Sequence, residues 1–317
     1  MKMIDLHCDT ILRLYGEDPS QNLMRNNFHV DLEKLKNSDS LAQFFALFID
    51  LEETRKNGKD PWIEYMGMHS RFASEMMANK DAITLAMNSS EMEHNEKEGK
   101  ISAFLTVEEG GIIEDQIERL DTLHDMGIRL ITLTWNYINS IGYPNGEETN
   151  TFGLKPFGKD VVEKMKEKKM IVDVSHLSDA GFYDVADILK SPFTASHSSV
   201  RAIRNHGRNL TDDMLKTIGN TGSIVGVNFC PFFLTDEPYM QSVDALVKHI
   251  DYMVNTAGIE AVALGTDFDG IYGEMEIEHI GEMSKLYEGL KRIGYGEDKI
   301  ERIWNLNAKR FIKDVLG

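Results

Sequence analysis

The sequence predicts a (β/α)8 barrel of the TIM type, eight parallel strands closed into a ring with helices outside. Short apolar runs alternate with longer stretches of helical periodicity, and we count eight such runs along the 317 residues. Strand followed by helix, repeated, gives parallel strands joined by right-handed crossovers. The length suits one barrel of about 250 residues carrying insertions, and no Pro- or Gly-rich linker divides the chain, so a single domain over 1–317 is expected.

The strands are read in order as Met3 to His7, Phe44 to Ile49, Ile101 to Val107 and Arg129 to Thr134, then Met170 to Ser175, Pro192 to Ser196, Ser223 to Asn228 and Ala261 to Thr266. Ile113, Ile117, Leu120 and Leu123 recur at helical spacing until Gly127 stops them, as do Val243, Leu246, Val247, Ile250 and Val254 before Gly258. Thr211 caps a third helix running to Ile218, with Asp212 and Asp213 at its positive end. Three stretches exceed what connections need: 52–100, with a Met-rich helical segment from Trp62 to Met77; 142–158; and the aromatic loop 230–240.

Composition narrows the function. Thirty-four basic against 52 acidic residues give a net charge of −18, which excludes a nucleic-acid backbone or an anionic membrane surface as partner. Cys8 and Cys230 make no disulfide framework. The start lacks a basic stretch followed by an apolar core, and no apolar run is long enough to span a bilayer. A cytoplasmic setting is expected.

The chemistry lies where the strands end. Strand one runs into His7-Cys8-Asp9, strand three into Glu108-Glu109, strand five into Ser175-His176, strand six into Ser196-His197 and strand eight into Asp267-Phe268-Asp269. In a barrel these C-terminal ends share one face, where enzymes of the fold place their sites. Strict alternation puts His7 and Asp9 inward with Asp5 a layer deeper, and Ile4, Leu6 and Cys8 toward the helices. It points Glu108 inward, since Ala103, Leu105 and Val107 form the apolar face that ends at Glu109; Glu109 remains the alternative. It aligns Val172, Val174 and His176, and likewise Ala263, Gly265 and Asp267, leaving Asp269 to shape the turn. Three imidazoles and three carboxylates suit two divalent ions bridged by a hydroxide, four positive charges against four negative. Zinc is the first expectation from the histidine content, with Mn, Co and Fe open. His249, on an apolar helix, is expected to be a core residue, and His206 stays open between a supporting and a substrate-loop role.

In a series that runs nearly end to end, the chain resembles the membrane dipeptidase family, peptidase family M19. The resemblance rests on Asp5-Leu6-His7-Cys8-Asp9-Thr10, Thr106-Val107-Glu108, Leu133-Thr134-Trp135-Asn136, Asp173-Val174-Ser175-His176, Ala195-Ser196-His197-Ser198-Ser199, Arg208-Asn209-Leu210 and Gly265-Thr266-Asp267-Phe268-Asp269-Gly270. It implies a metal-dependent hydrolase of small dipeptides, tolerant of a D-residue at the C-terminal position. It further implies that His7, Asp9 and Glu108 hold one zinc and Glu108, His176 and His197 the other, with Asp267 as proton shuttle, Arg208 on the substrate carboxylate, and a homodimer. Trp135 stands where mammalian members carry a substrate-binding histidine, and Cys230 where they carry a tyrosine. Two rival functions follow: another amidohydrolase-type reaction, on N-acyl amino acids or lactones, and a metal-dependent binder without turnover.

Overall fold

The computed structural model describes residues 1–17 and 20–317. Its strands are β1 (Met3–Cys8), β2 (Ser40–Phe48), β3 (Ile83–Leu85), β4 (Ile101–Glu108), β5 (Ile128–Thr132), β6 (Ile171–Asp173), β7 (Thr194–Ser198), β8 (Ile224–Val227), β9 (Met240–Gln241), β10 (Val262–Leu264) and β11 (Glu274–Met275). The sheet order β2-β1-β10-β8-β7-β6-β5-β4 closes through a β2–β4 pairing, and every ladder is parallel. This is the expected closed barrel. β3 is an addition: it pairs with Ile101–Ala103 at the start of β4, below the point where β5 takes over at Leu105. β9 and β11 pair with each other outside the barrel.

The barrel interior divides into two floors. Ile4, Leu6, Phe44, Phe104, Leu130, Ile171, Ile224 and Ala263 come from seven strands and pack as one buried cluster. Phe311, Ile312 and Leu316 of the last helix, Asn307–Leu316, join that cluster. The polar strand ends form the other floor.

Alternation fails on several strands, and on β1 and β7 this bears on the site. Ile4 and Leu6 were expected to face the helices and Asp5 the interior; the reverse holds, since Ile4 and Leu6 belong to the interior cluster. Asp5 instead accepts hydrogen bonds from Thr266 N and Oγ1 and from Gln43 Nε2, each at 2.8 Å, and so ties β1 to its two neighbours. His7 still reaches the interior because β1 carries a bulge: its register with β2 passes from Asp5↔Gln43 to Cys8↔Phe45, three steps against two. One extra residue reverses which face the next side chain takes. β7 repeats the device, its register with β8 passing from Ala195↔Val225 to Ser198↔Val227. There Gly226 and Gly265 are required, because a Cβ on either would lie about 2 Å from the Ser196 carbonyl oxygen.

Helices follow their local signals. Thr211 Oγ1 accepts from Met214 N and caps Asp212–Asn220, and Ser242 caps Val243–Ala257. The long insertion holds helices Leu51–Lys56, Pro61–Ala78 and Ser89–Lys97, so the Met-rich segment is helical. The helix expected from Ile113 is only Arg119–Asp125, because Glu114 and Asp115 take positive φ (50° and 59°) and break the run. No helix among the described residues is long and apolar enough to cross a membrane.

Candidate metal centre

Glu108 ends β4 pointing inward, with its side chain buried between three imidazoles. Its Oε2 lies 3.3 Å from His7 Nε2, while its Oε1 lies 3.1 Å from His176 Nε2 and 3.5 Å from His197 Nε2. The two oxygens of one carboxylate thus serve two separate groups. His7 Nε2 is also 3.3 Å from Asp9 Oδ2 and 3.8 Å from Asp267 Oδ1. The His7 and His197 rings stack with centroids 3.9 Å apart. All six residues expected at the rim therefore meet at one point.

Glu109, the alternative to Glu108, is turned away. Its backbone takes φ 83°, and its carboxylate accepts from Gly111 N, Trp135 N and Asn139 Nδ2, fastening the loop after β4. His176 does not continue the line of Val172 and Val174, which pack in the outer core. The strand has ended at Asp173, and a φ of 66° at His176 swings its ring into the site. Asp267 and Asp269 also hold positive φ (62° and 72°). Such backbone strain in non-glycine residues concentrates at functional sites.

The residues fit a cation. Neither ring nitrogen of His7 makes a hydrogen bond of acceptable geometry, and Asp9 Oδ1 has none, although both residues are buried. His176 Nε2 and His197 Nε2 face each other at 3.1 Å. His176 Nδ1 sits 3.1 Å from Asn136 Oδ1, an acceptor, so Nδ1 carries the proton and Nε2 presents a lone pair. A cation placed between these two ring nitrogens and the Glu108 oxygen would be held by all three.

Without a cation the electrostatics are strained. Burial pushes the Asp267 carboxyl up to about 7, with Asp9 and Glu108 adding to the shift against the pull of His7. Burial likewise lifts Asp9 to about 6 despite His7, and takes His176 down to about 4, helped by Arg208. Burial would raise Glu108 too, but His7 and the other two imidazoles hold it well below the usual carboxylate range.

The site opens into a cavity of about 680 Å³ lined by Asp9, Glu108, His176 and Asp267 on its polar side and by Phe48, Trp135, Phe232, Phe233 and Tyr272 on its apolar side. Trp135 packs edge-on against Phe48 with centroids 4.8 Å apart. His206 and Asp269 line the cavity as well. Arg208 is not on that wall. It is buried beside it, donating from Nη1 to Ser198 Oγ at 3.2 Å and from Nη2 to the His197 carbonyl at 3.0 Å, and its Nε has no hydrogen bond. His249 is a core residue as expected, accepting from Val200 N at 3.0 Å and bonded through Nε2 to Leu234 O.

Sequence reasoning overlooked three supporting residues. Asn228 Nδ2 donates to Asp267 Oδ2 at 2.8 Å. Asn136 orients His176. Asp173 accepts from Ser196 Oγ at 2.6 Å, and Ser196 Oγ lies 2.7 Å from His197 Nδ1. The signal for Asp173 was present: a carboxylate inside the apolar run Met170 to Val174 has to be paired when buried.

Comparison with known proteins gives the family of the chain. The family model described as membrane dipeptidase (peptidase family M19) matches residues 1–316. The chain belongs to that family. It is a metal-dependent dipeptidase by class. An uncharacterized protein in the pqqA 5' region of Klebsiella pneumoniae is 31% identical over 242 residues, 74% of this chain and 89% of that one. The dipeptidase tcpJ of Claviceps purpurea is 24% identical over 90% of this chain and 69% of its own. A metallo peptidase from Rhodobacter sphaeroides, solved with a phosphinate mimic of the dipeptide L-Ala-D-Ala, superposes with a TM-score of 0.90 at 22% identity, covering 99% of both chains.

Proposed function

We propose that this dipeptidase works with two divalent cations, zinc in the first instance, held by His7, Asp9 and Glu108 on one side and by Glu108, His176 and His197 on the other. The observation that carries this reading is the division of Glu108, Oε2 toward His7 and Oε1 toward His176 and His197. Bound there, the pair supplies Lewis acidity toward a scissile carbonyl and activates water at neutral pH. Asp267, 3.8 Å from His7 and held by Asn228, receives a proton from the attacking water and returns it to the departing amine. Arg208 holds a buried positive charge beside the cavity, which attracts the substrate's C-terminal carboxylate to that side. Trp135 and Phe48 form an apolar wall beside the scissile bond.

The substrates proposed are small dipeptides with a D-residue tolerated at the C-terminal position, in keeping with the dipeptide mimic held by the Rhodobacter relative. The test measures metal per chain and amino acids released from L,L and L,D dipeptides, with N-acyl amino acids and lactones as competitors. Two ions per chain with dipeptide turnover are expected. Turnover of only N-acyl amino acids or lactones would replace the substrate class, and metal-loaded protein that binds dipeptides without cleaving them would leave a binder.

A further inference from the structure

We propose that Asp173, acting through the Ser196 hydroxyl, fixes His197 as the Nδ1–H tautomer and so aims a bare Nε2 at the cation position beside Glu108. The inference rests on the metal-dependent reading above and assigns the residues that prepare one ligand for it.

Proton counting along three residues carries it. Asp173 Oδ1 accepts from Ser175 N at 3.0 Å and Ser196 N at 2.9 Å, and Oδ2 from Thr132 Oγ1 at 2.7 Å and Ser196 Oγ at 2.6 Å. Four donors converge on a group that offers only acceptors. Ser196 has one hydroxyl proton, and it is committed to Asp173. Its oxygen can then only accept from His197 Nδ1, 2.7 Å away. The ring's single proton therefore sits on Nδ1, and Nε2, 3.5 Å from Glu108 Oε1, is left as a lone pair. All these groups are buried, so water does not compete for the bonds. The partner of a ligand's second nitrogen sets which nitrogen is available.

The arrangement predicts an unusual effect for Asp173→Asn. The amide must keep its oxygen toward the two backbone N–H groups, which cannot turn, and place its NH2 toward the two hydroxyls, which can. Ser196 Oγ then accepts from the amide and donates to His197 Nδ1. The imidazole proton moves to Nε2, onto the nitrogen needed for the metal. Ser196→Ala removes the relay without reversing it.

Long-range 1H–15N spectra of 15N-histidine-labelled, chelator-treated protein read the tautomer directly, with the His197 signals assigned by their loss in His197→Gln. Zinc affinity is read by competition with a chromophoric chelator. Wild type is expected as Nδ1–H, Asp173→Asn as Nε2–H and Ser196→Ala as a mixture. Zinc binding should weaken about 100-fold in Asp173→Asn and about 10-fold in Ser196→Ala. A neutral imidazole in an unfolded chain itself favours Nε2–H, so the tautomer is read only from variants whose dispersed backbone amide spectra show the wild-type fold, and Ser196→Ala serves if Asp173→Asn does not fold. An Nε2–H signal in wild type, an unchanged tautomer in either variant, or wild-type zinc affinity in both overturns the proposal. A wild type with the Nδ1–H signal that binds no zinc leaves the relay standing and removes the metal-dependent reading.

Discussion

The two floors of the barrel are built on opposite principles. In the lower floor Phe44 and Phe104 stack with centroids 4.6 Å apart, and the last helix seals the end with Phe311. Every group there is apolar and needs no partner. Above it, His7 one residue beyond Leu6, Glu108 four beyond Phe104, and His197 on β7 are equally buried, yet both ring nitrogens of His7 and Oδ1 of the neighbouring Asp9 have no hydrogen bond. Burying charge without a partner is costly. The apolar floor supplies the stability that lets the upper floor hold its polar atoms in reserve for a ligand.

That division is most exposed to two substitutions. Glu108→Gln keeps the shape but removes the charge shared by three imidazoles. We expect kcat/KM for dipeptides to fall on the order of a thousandfold, about 4 kcal/mol of transition-state stabilisation, with metal content reduced and thermal unfolding of the metal-free protein little changed. Phe104→Ala should do the converse. It empties the stacked pair and costs about 3–5 kcal/mol in denaturant unfolding, while the folded fraction keeps its metal. If Phe104→Ala strips the metal as fully as Glu108→Gln, the floors are one unit and the comparison fails.

What the sequence revealed of each floor depended on how regular its strands are. β4 alternates without interruption, so the inward direction of Glu108 was readable, with Glu109 kept as the alternative because alternation can break at a strand end. Asp267 followed from the small residues Ala263 and Gly265 beneath it. His7 and His197 were recognised by type and position, but their orientation depends on bulges at residues that carry no glycine or proline to mark them. That is why Ile4 and Leu6 were assigned to the wrong face. His176 depends on a single positive φ, set by tertiary contacts. β3, three residues long, is too short for any periodicity. The Asp173–Ser196–His197 chain joins residues 23 apart and then adjacent, and only the fold shows which hydroxyl proton goes where.

His249 sharpens the comparison from outside the barrel, as a buried imidazole whose two nitrogens are both engaged by the backbone. Burial takes it down to about 4 from an ordinary 6.5. The unfolded chain takes up this proton near 6.5 and the folded protein only near 4, so its stabilising effect is complete above 6.5 and drains away as the pH falls toward 4. The loss is on the order of 3 kcal/mol at its full extent. In chelator-treated protein, His249→Gln should flatten the acid limb of the stability profile by that amount; an unchanged limb would mean that other groups set it. The upper floor should instead respond to metal. Adding zinc at about 100 times its dissociation constant should raise wild-type stability by about 2.7 kcal/mol and leave Glu108→Gln nearly unmoved.

The smallest effect separates two neighbours. Glu109 is as buried as Glu108, and burial lifts its carboxyl to about 7, against the pull of Asn139 and two backbone N–H groups. Its bonds to Gly111 N, Trp135 N and Asn139 close the loop that carries Trp135. Glu109→Gln keeps one acceptor oxygen and loses another, which costs about 1–2 kcal/mol of stability. Metal content should stay at the wild-type value, because no atom of Glu109 faces the imidazoles. Activity should change less than tenfold, mainly in KM, since Trp135 forms the cavity wall and its backbone is what Glu109 holds. Loss of metal in Glu109→Gln but not in Glu108→Gln would exchange the two roles and move the centre off the barrel axis.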